Sequence, residues 1–327
     1  MKAIVQDYYG SPDALRFEEV ETPTAADDEV VVRVHAASVN PYDWHVMRGD
    51  PYLSRLVFGL GRPRRRIRGR DFAGRVDSVG TAVTSWRRGD EVFGDLGAAN
   101  GAFAEYVSLP ATMIEAKPAT LTFEQAAALP LAATTALTCL RDAAEVEPGQ
   151  RILVNGASGG VGTFAVQLAK TLGADVTAVC STANVELLES IGADHVIDHT
   201  REDFSRCGRR HDVVLDLVGN RSLTDCRRVL TPRGTLVLSG GGSSRGGSLV
   251  GPMGLTVRGQ VLARFVRHRV VAPLAAPGAE KLATLRELAE SGRITPVIDR
   301  TFPLSDAAEA IRYLELGHAS GKVVITV

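Results

Sequence analysis

The sequence runs to 327 residues, with 45% hydrophobic and 23% charged side chains and a formal net charge of -1 at pH 7. That length suits about two domains, each large enough to bury its own core. The balanced charge gives no bulk attraction to nucleic acid or acidic membranes, and no stretch approaches the roughly 18 unbroken apolar residues of a membrane span. The apolar run in the N-terminal MKAIVQDYYG is too short for a signal-peptide core, so we expect a cytoplasmic small-molecule enzyme with no nucleic-acid or membrane partner.

From Lys2 to about Leu121, short alternating or β-branched runs stand between Gly, Pro and Asp turns. Glu29 to His35, Gly74 to Val79 and Ala102 to Val107 are examples, and the pattern predicts a β-barrel or sandwich. At Thr122, an N-cap, the period changes, and a helical run from Gln125 to Arg141 follows, interrupted at Pro130. From Arg151 short apolar strands alternate with amphipathic helices. The strands are Arg151 to Asn155, Asp175 to Val179, His195 to Ile197, Val213 to Val218 and Thr235 to Ser239. Such alternation predicts right-handed crossovers and a parallel sheet. Ile294 to Val327 reads as strand, helix (Ser305 to Leu316) and strand (Lys322 to Val327), which either extends that sheet or returns to the first domain. Cys139, Cys180, Cys207 and Cys226 lack a CxxC or a partnered histidine spacing, so they read as small buried side chains.

Gly156-Ala157-Ser158-Gly159-Gly160-Val161-Gly162 follows the strand Ile152-Leu153-Val154 and opens the helix Thr163 to Leu172. Glycines let the backbone turn tightly and approach a pyrophosphate, whose charge is met by free N–H groups and the positive end of the helix dipole. At the end of the second strand an NAD-selective site would place Asp or Glu, whereas here stand Cys180-Ser181-Thr182. Small hydroxyl residues accept a 2′-phosphate without a carboxylate's repulsion, and His199 or Arg201 would add positive charge. NADPH is therefore the expected cofactor, with NADH as the alternative. Plain N-capping of the next helix is the competing reading of Ser181-Thr182.

These motifs, together with AASVNPYD (Ala36 to Asp43), GRDFAG (Gly69 to Gly74), LPLAATTALTCL (Leu129 to Leu140), GADHVID (Gly192 to Asp198), Leu238 to Gly242 and Gly321 to Val324, resemble the medium-chain dehydrogenase/reductase superfamily, in its zinc-less quinone oxidoreductase-like branch. The resemblance covers essentially the whole chain. It implies an α/β protein with a GroES-like β-rich catalytic domain (1–121 and 293–327), a Rossmann doubly wound parallel-sheet domain (122–292), and a homodimer. Zinc-dependent relatives carry a cysteine where this chain has Asn40, a histidine where it has Arg70, and a further cysteine near Pro130, so no metal is expected. Without that Lewis acid, hydride transfer to a quinone or an α,β-unsaturated carbonyl is the expected reaction.

The resemblance places Asn40 beside nicotinamide and substrate, with its amide donating to the substrate oxygen. Thr134, Val218, the backbone at Ser239-Gly240-Gly241 and Lys322 are expected around the cofactor. Tyr42 and Tyr52 are the candidate proton donors, Asp43 a bracing or catalytic carboxylate, and His45 a packed side chain. Ala183 and His199 depart from the branch, whose members often carry a basic residue and a tyrosine there. The run Gly61 to Arg70 (GRPRRRIRGR) reads either as a contact for an anionic or polyphenolic substrate or as a solvated loop. Alternatives to a general quinone or enone reductase are a tailoring reductase for one large polyketide-type substrate, and a cofactor-binding protein without turnover.

Overall fold

Val30, Val31, Val32 and Val34 crowd the backbone into the extended region, and Glu29–Val39 forms an eleven-residue strand that is buried along most of its length. The computed structural model describes residues 1–240, 249, 251 and 253–327. Around Glu29–Val39 a seven-stranded sheet runs in the order Ile298–Pro303, Lys322–Thr326, Glu29–Val39, Asp71–Val79, Glu91–Asp95 and Ile114–Ala116, with Tyr106–Pro110 also pairing on Glu29–Val39. Its core gathers Phe72, Phe103, Met47, Val92 and Ile325. The C-terminal strand thus returns to the first sheet. Val323 pairs antiparallel with Val39, which sets Lys322 beside Asn40.

A second sheet has six strands in the order His195–Asp198, Asp175–Cys180, Arg151–Asn155, His211–Asp216, Leu230–Leu238 and Arg269–Val271, and every pairing in it is parallel. Its central strands are continuous apolar runs, as strands buried on both faces require, and Leu153, Val214, Leu236 and Leu238 share one core. Chain order reverses between Arg151–Asn155 and His211–Asp216, the switch point outside whose strand ends such sheets bind ligands. The two sheets belong to separate compact units. One takes Met1–Thr134 and Ala276–Val327, the other most of the chain from Thr135 to Ala275.

The helical run after Thr122 is not continuous. Thr122 Oγ1 accepts from Gln125 N at 3.2 Å and starts the helix Phe123–Ala127; Pro130, which suits a first helical position, starts another to Leu137; and a wide π-helical turn covers Thr138–Ala143. Among the described residues no two cysteines form a disulfide; Cys207 is half-buried and Cys139, Cys180 and Cys226 are buried. Among the described residues no helix is long and apolar enough to cross a membrane.

Candidate functional site

In the first unit the end of Glu29–Val39, the start of Asp71–Val79 and the start of Lys322–Thr326 meet, and their side chains form one buried polar cluster. Lys322 Nζ donates to Asn40 Oδ1 at 2.5 Å and stands 3.9 Å from Asp71 Oδ2. Asp71 accepts from Ser38 Oγ at 3.1 Å, Asn40 Nδ2 at 3.0 Å and Leu131 N at 3.2 Å. Three donors and a cation favour its ionised form, while burial raises its pKa to about 6. Burial also pushes the Lys322 ammonium below the usual lysine value. Asn40 Nδ2 makes a second, longer bond of 3.3 Å to Ser38 O. Asp43 accepts from Asn40 N at 2.7 Å, and its fully enclosed carboxyl is pushed up to about 7 by desolvation.

Asn40, Asp43 and Lys322 are therefore brought together, and Lys322 points into this cluster with its side chain buried. Both amide hydrogens of Asn40 face inward, toward Asp71 and Ser38, where the sequence suggested an amide open to substrate. Asp71 is the member that motif reading passed over. It lies within GRDFAG, and its signal in the sequence is an acid following Arg70 in a strand that pairs with the one leading to Asn40. Tyr42, two residues after Asn40, is half-buried with its hydroxyl enclosed near the Asn100 side chain; burial raises its pKa, and Arg70 lies over its ring at 4.9 Å. Tyr52 stands apart, 45% exposed with the Arg55 guanidinium 4.7 Å over its ring. His45 is packed, stacked on Trp44, with Nδ1 2.7 Å from Asp50 O. Thr134 is buried in the helix Pro130–Leu137.

In the second unit the glycine turn joins Arg151–Asn155 to the helix Gly160–Thr171. Two of its glycines are dictated by space. A Cβ on Gly162 would lie 2.2 Å from Gly156 O, and one on Gly156, at φ +83°, would lie 2.6 Å from Val218 Cγ2. Gly159, the residue before the helix, faces only an ordinary 3.6 Å contact, so space is left there for a ligand to approach the first helical N–H groups. Ala157 is buried, while Ser158, Gly159, Gly160 and Val161 are half-exposed.

Asp216, absent from the motif reading, organises the switch point. Its buried Oδ1 accepts from Asn155 Nδ2 at 2.9 Å, Val218 N at 3.1 Å and Gly219 N at 2.9 Å, which fixes Val218 over Gly156. Ser239 follows the next strand end, with its N–H on Asp216 O at 3.0 Å. Gly240, at φ +118°, is exposed, and Gly241 lies outside the described residues.

Beyond Asp175–Cys180, Ser181 is half-exposed and Cys180 is buried. Thr182 Oγ1 donates to Asp198 Oδ2 at 2.5 Å and Thr200 Oγ1 to Asp198 Oδ1 at 2.7 Å, and these bonds, with Arg201 at 3.3 Å, hold the Asp198 carboxyl down to about 2. A hollow of about 570 Å³ is lined here by Thr182, Ala183 and Arg201 together with three carboxylates, Glu186, Asp198 and Glu202. His199 is exposed beside it. Asp198 closes the GADHVID motif, and motif spacing alone does not show that it lines the hollow beside Thr182.

The sequence matches family models described as alcohol dehydrogenase GroES-like domain over residues 26–119 and zinc-binding dehydrogenase over residues 191–325. It is 36% identical to a 2-methylene-furan-3-one reductase from Solanum lycopersicum, over 99% of this chain and 79% of that protein. Its fold is similar to a quinone oxidoreductase from Coxiella burnetii (TM-score 0.87, 32% identity, 100% of this chain and 99% of the other). It is similar also to the Escherichia coli quinone oxidoreductase complexed with NADPH (TM-score 0.85, 28% identity, all of both chains).

The chain belongs to the medium-chain dehydrogenase/reductase superfamily. Its relatives place it in the quinone oxidoreductase-like branch. Zinc, which that superfamily's models name, does not fit the side chains present at the corresponding positions. Asn40 carries the Lys322 ammonium, the Arg70 guanidinium is engaged with both Asp95 oxygens, and Pro130 offers no donor. Two of these three positions thus carry, or are bonded to, a buried cation, which disfavours a dication among them. Among the described residues no three His, Cys, Asp or Glu side chains converge as ligands. A nicotinamide dinucleotide does fit the second unit, whose open Gly159 and helix start form an anion cradle.

Proposed function

We propose that this medium-chain dehydrogenase/reductase is a zinc-independent reductase that passes hydride from NADPH to a quinone or to the β-carbon of an α,β-unsaturated carbonyl. The observation that carries the reading is the Lys322 ammonium 2.5 Å from Asn40 Oδ1, a buried cation on the residue that the family resemblance matches to a zinc-ligand cysteine of the zinc-dependent relatives. With that residue so engaged, an isolated carbonyl lacks its usual oxyanion stabiliser, whereas a conjugated acceptor spreads the charge and needs only hydrogen-bond donors.

The glycine turn, Ser181, Thr182 and Arg201 hold the nucleotide, which when bound supplies the hydride. Asp71 fixes one amide hydrogen of Asn40, and the other, held at only 3.3 Å by Ser38 O, is the one a substrate oxygen competes for. Lys322 on the amide oxygen polarises the group and strengthens its donor end. Tyr42, kept protonated by burial, is the phenol suited to return a proton. NADPH is favoured over NADH because Ser181 and Thr182 stand at the end of the second strand where an NAD-selective site places a carboxylate, and because the similar E. coli enzyme is described with NADPH; Arg201 would have to exchange its pairing with Asp198 for the 2′-phosphate.

NADPH deuterated at the transferable C4 position, supplied with a simple enone, tests the reaction. Deuterium at the β-carbon of a saturated ketone is the expected product. An allylic alcohol deuterated at the carbonyl carbon would contradict it.

A further inference from the structure

The arginine-rich run between Gly61 and Arg70 takes no part in the chemistry above, yet one of its side chains is folded into the interior. Arg68 is 1% exposed. Its Nη2 donates to Arg65 O, while Nε and Nη1 are enclosed with no partner among the described residues. Among the described residues no carboxylate pairs with it: Asp43, Tyr42 and Tyr9 act on it only through space, and burial pushes its guanidinium below the usual arginine value. The contrast with Arg70, two residues on, is instructive, because that guanidinium, also buried, is met by Asp95 on both arms.

The local backbone imposes this placement. Gly69, at φ +89°, sits so close to Phe103 that a Cβ would lie 2.3 Å from the ring, and Phe103 N donates to Arg68 O at 2.8 Å. Arg68 also helps line a cavity of about 310 Å³ lying wholly within the first unit. Arg64 and Arg65 join it on the lining, and neither forms an ion pair among the described residues. The remaining wall is mainly apolar, with Val57, Phe58 and Val46.

A buried guanidinium with two unpartnered donors is a costly arrangement, which an anion drawn in beside it would relieve. Three unpaired arginines around a small apolar hollow are complementary to a ligand with a carboxylate at one end and a compact hydrocarbon body at the other. We propose that this cavity is a binding site for a small apolar carboxylate, with Arg68 as its buried anchor and Arg64 and Arg65 as outer charges. The site stands independently of the reductase reading, and its test needs no turnover.

Benzoate is the probe, and benzamide, nearly the same shape without the charge, is the control. The expected result is a saturable rise in the melting temperature of the full chain with benzoate and none with benzamide, matched by a calorimetric binding isotherm. Arg68→Met should abolish binding while leaving the ligand-free melting temperature at or above that of the unsubstituted protein, because the unpaired charge is gone. Should Arg68→Met fail to fold, the doubly substituted Arg64→Gln/Arg65→Gln, altered only at exposed positions, should bind benzoate about tenfold more weakly. The proposal is overturned if benzoate does not bind, if benzamide binds equally well, or if benzoate binding survives the substitutions undiminished.

Discussion

Lys322 and Asp71 show how a buried pair can be read through what each loses alone. Removing the ammonium in Lys322→Met leaves a carboxylate that is 0% exposed without its cation, and unfolding in urea should show a loss of about 3–5 kcal/mol. Adding Asp71→Asn should recover much of that loss, because the uncompensated charge goes with it. Asp43 gives a pH signature. Its folded pKa of about 7 lies above the ordinary 3.8, so between these values the native state binds more protons than the unfolded one, and stability falls as pH rises. Asp43→Asn should flatten that part of a melting-temperature profile; an unchanged slope would place the titration elsewhere. At the nucleotide site, Arg201→Ala should weaken NADPH about tenfold and leave NADH nearly unchanged, as measured by cofactor fluorescence.

At the scale of elements, the glycine turn separates folding from binding. Gly162→Ala forces a Cβ to 2.2 Å from a backbone oxygen and should destabilise the unit, whereas Gly159→Ala meets only a 3.6 Å contact and should melt normally while binding cofactor weakly. Equal melting temperatures for the two would contradict that division. This turn was legible in the sequence because strand, glycines and helix are contiguous, so local conformational rules suffice. Asp216 was not, because its role is to tie Asn155 to the Val218–Gly219 backbone across neighbouring strands, and it shows only once parallel pairing is known. The C-terminal strand shows the same limit. Its existence followed from alternation, but its return to the first sheet depends on a pairing between Val323 and Val39 nearly the whole chain apart. Pro130 illustrates a local ambiguity: a helix interruption and a helix start read alike until the preceding helix is seen to end at Ala127.

For the whole molecule, the proposed reaction divides its labour between the two units. One carries the buried Asn40–Asp71–Lys322 cluster, the other the anion cradle at the switch point, and the family to which the chain belongs joins those two kinds of domain in one enzyme. Within the cluster, Asn40→Ala should lower kcat about a hundredfold, the usual cost of losing one oxyanion donor, with little change in NADPH affinity. The most direct test of the account is the rate of NADPH oxidation by chelator-treated protein, given a simple quinone and a simple enone in turn. Turnover that persists without metal, and exceeds that with NADH, is the predicted result. Oxidation that appears only when Zn²⁺ is restored, or no oxidation with either cofactor, would contradict it.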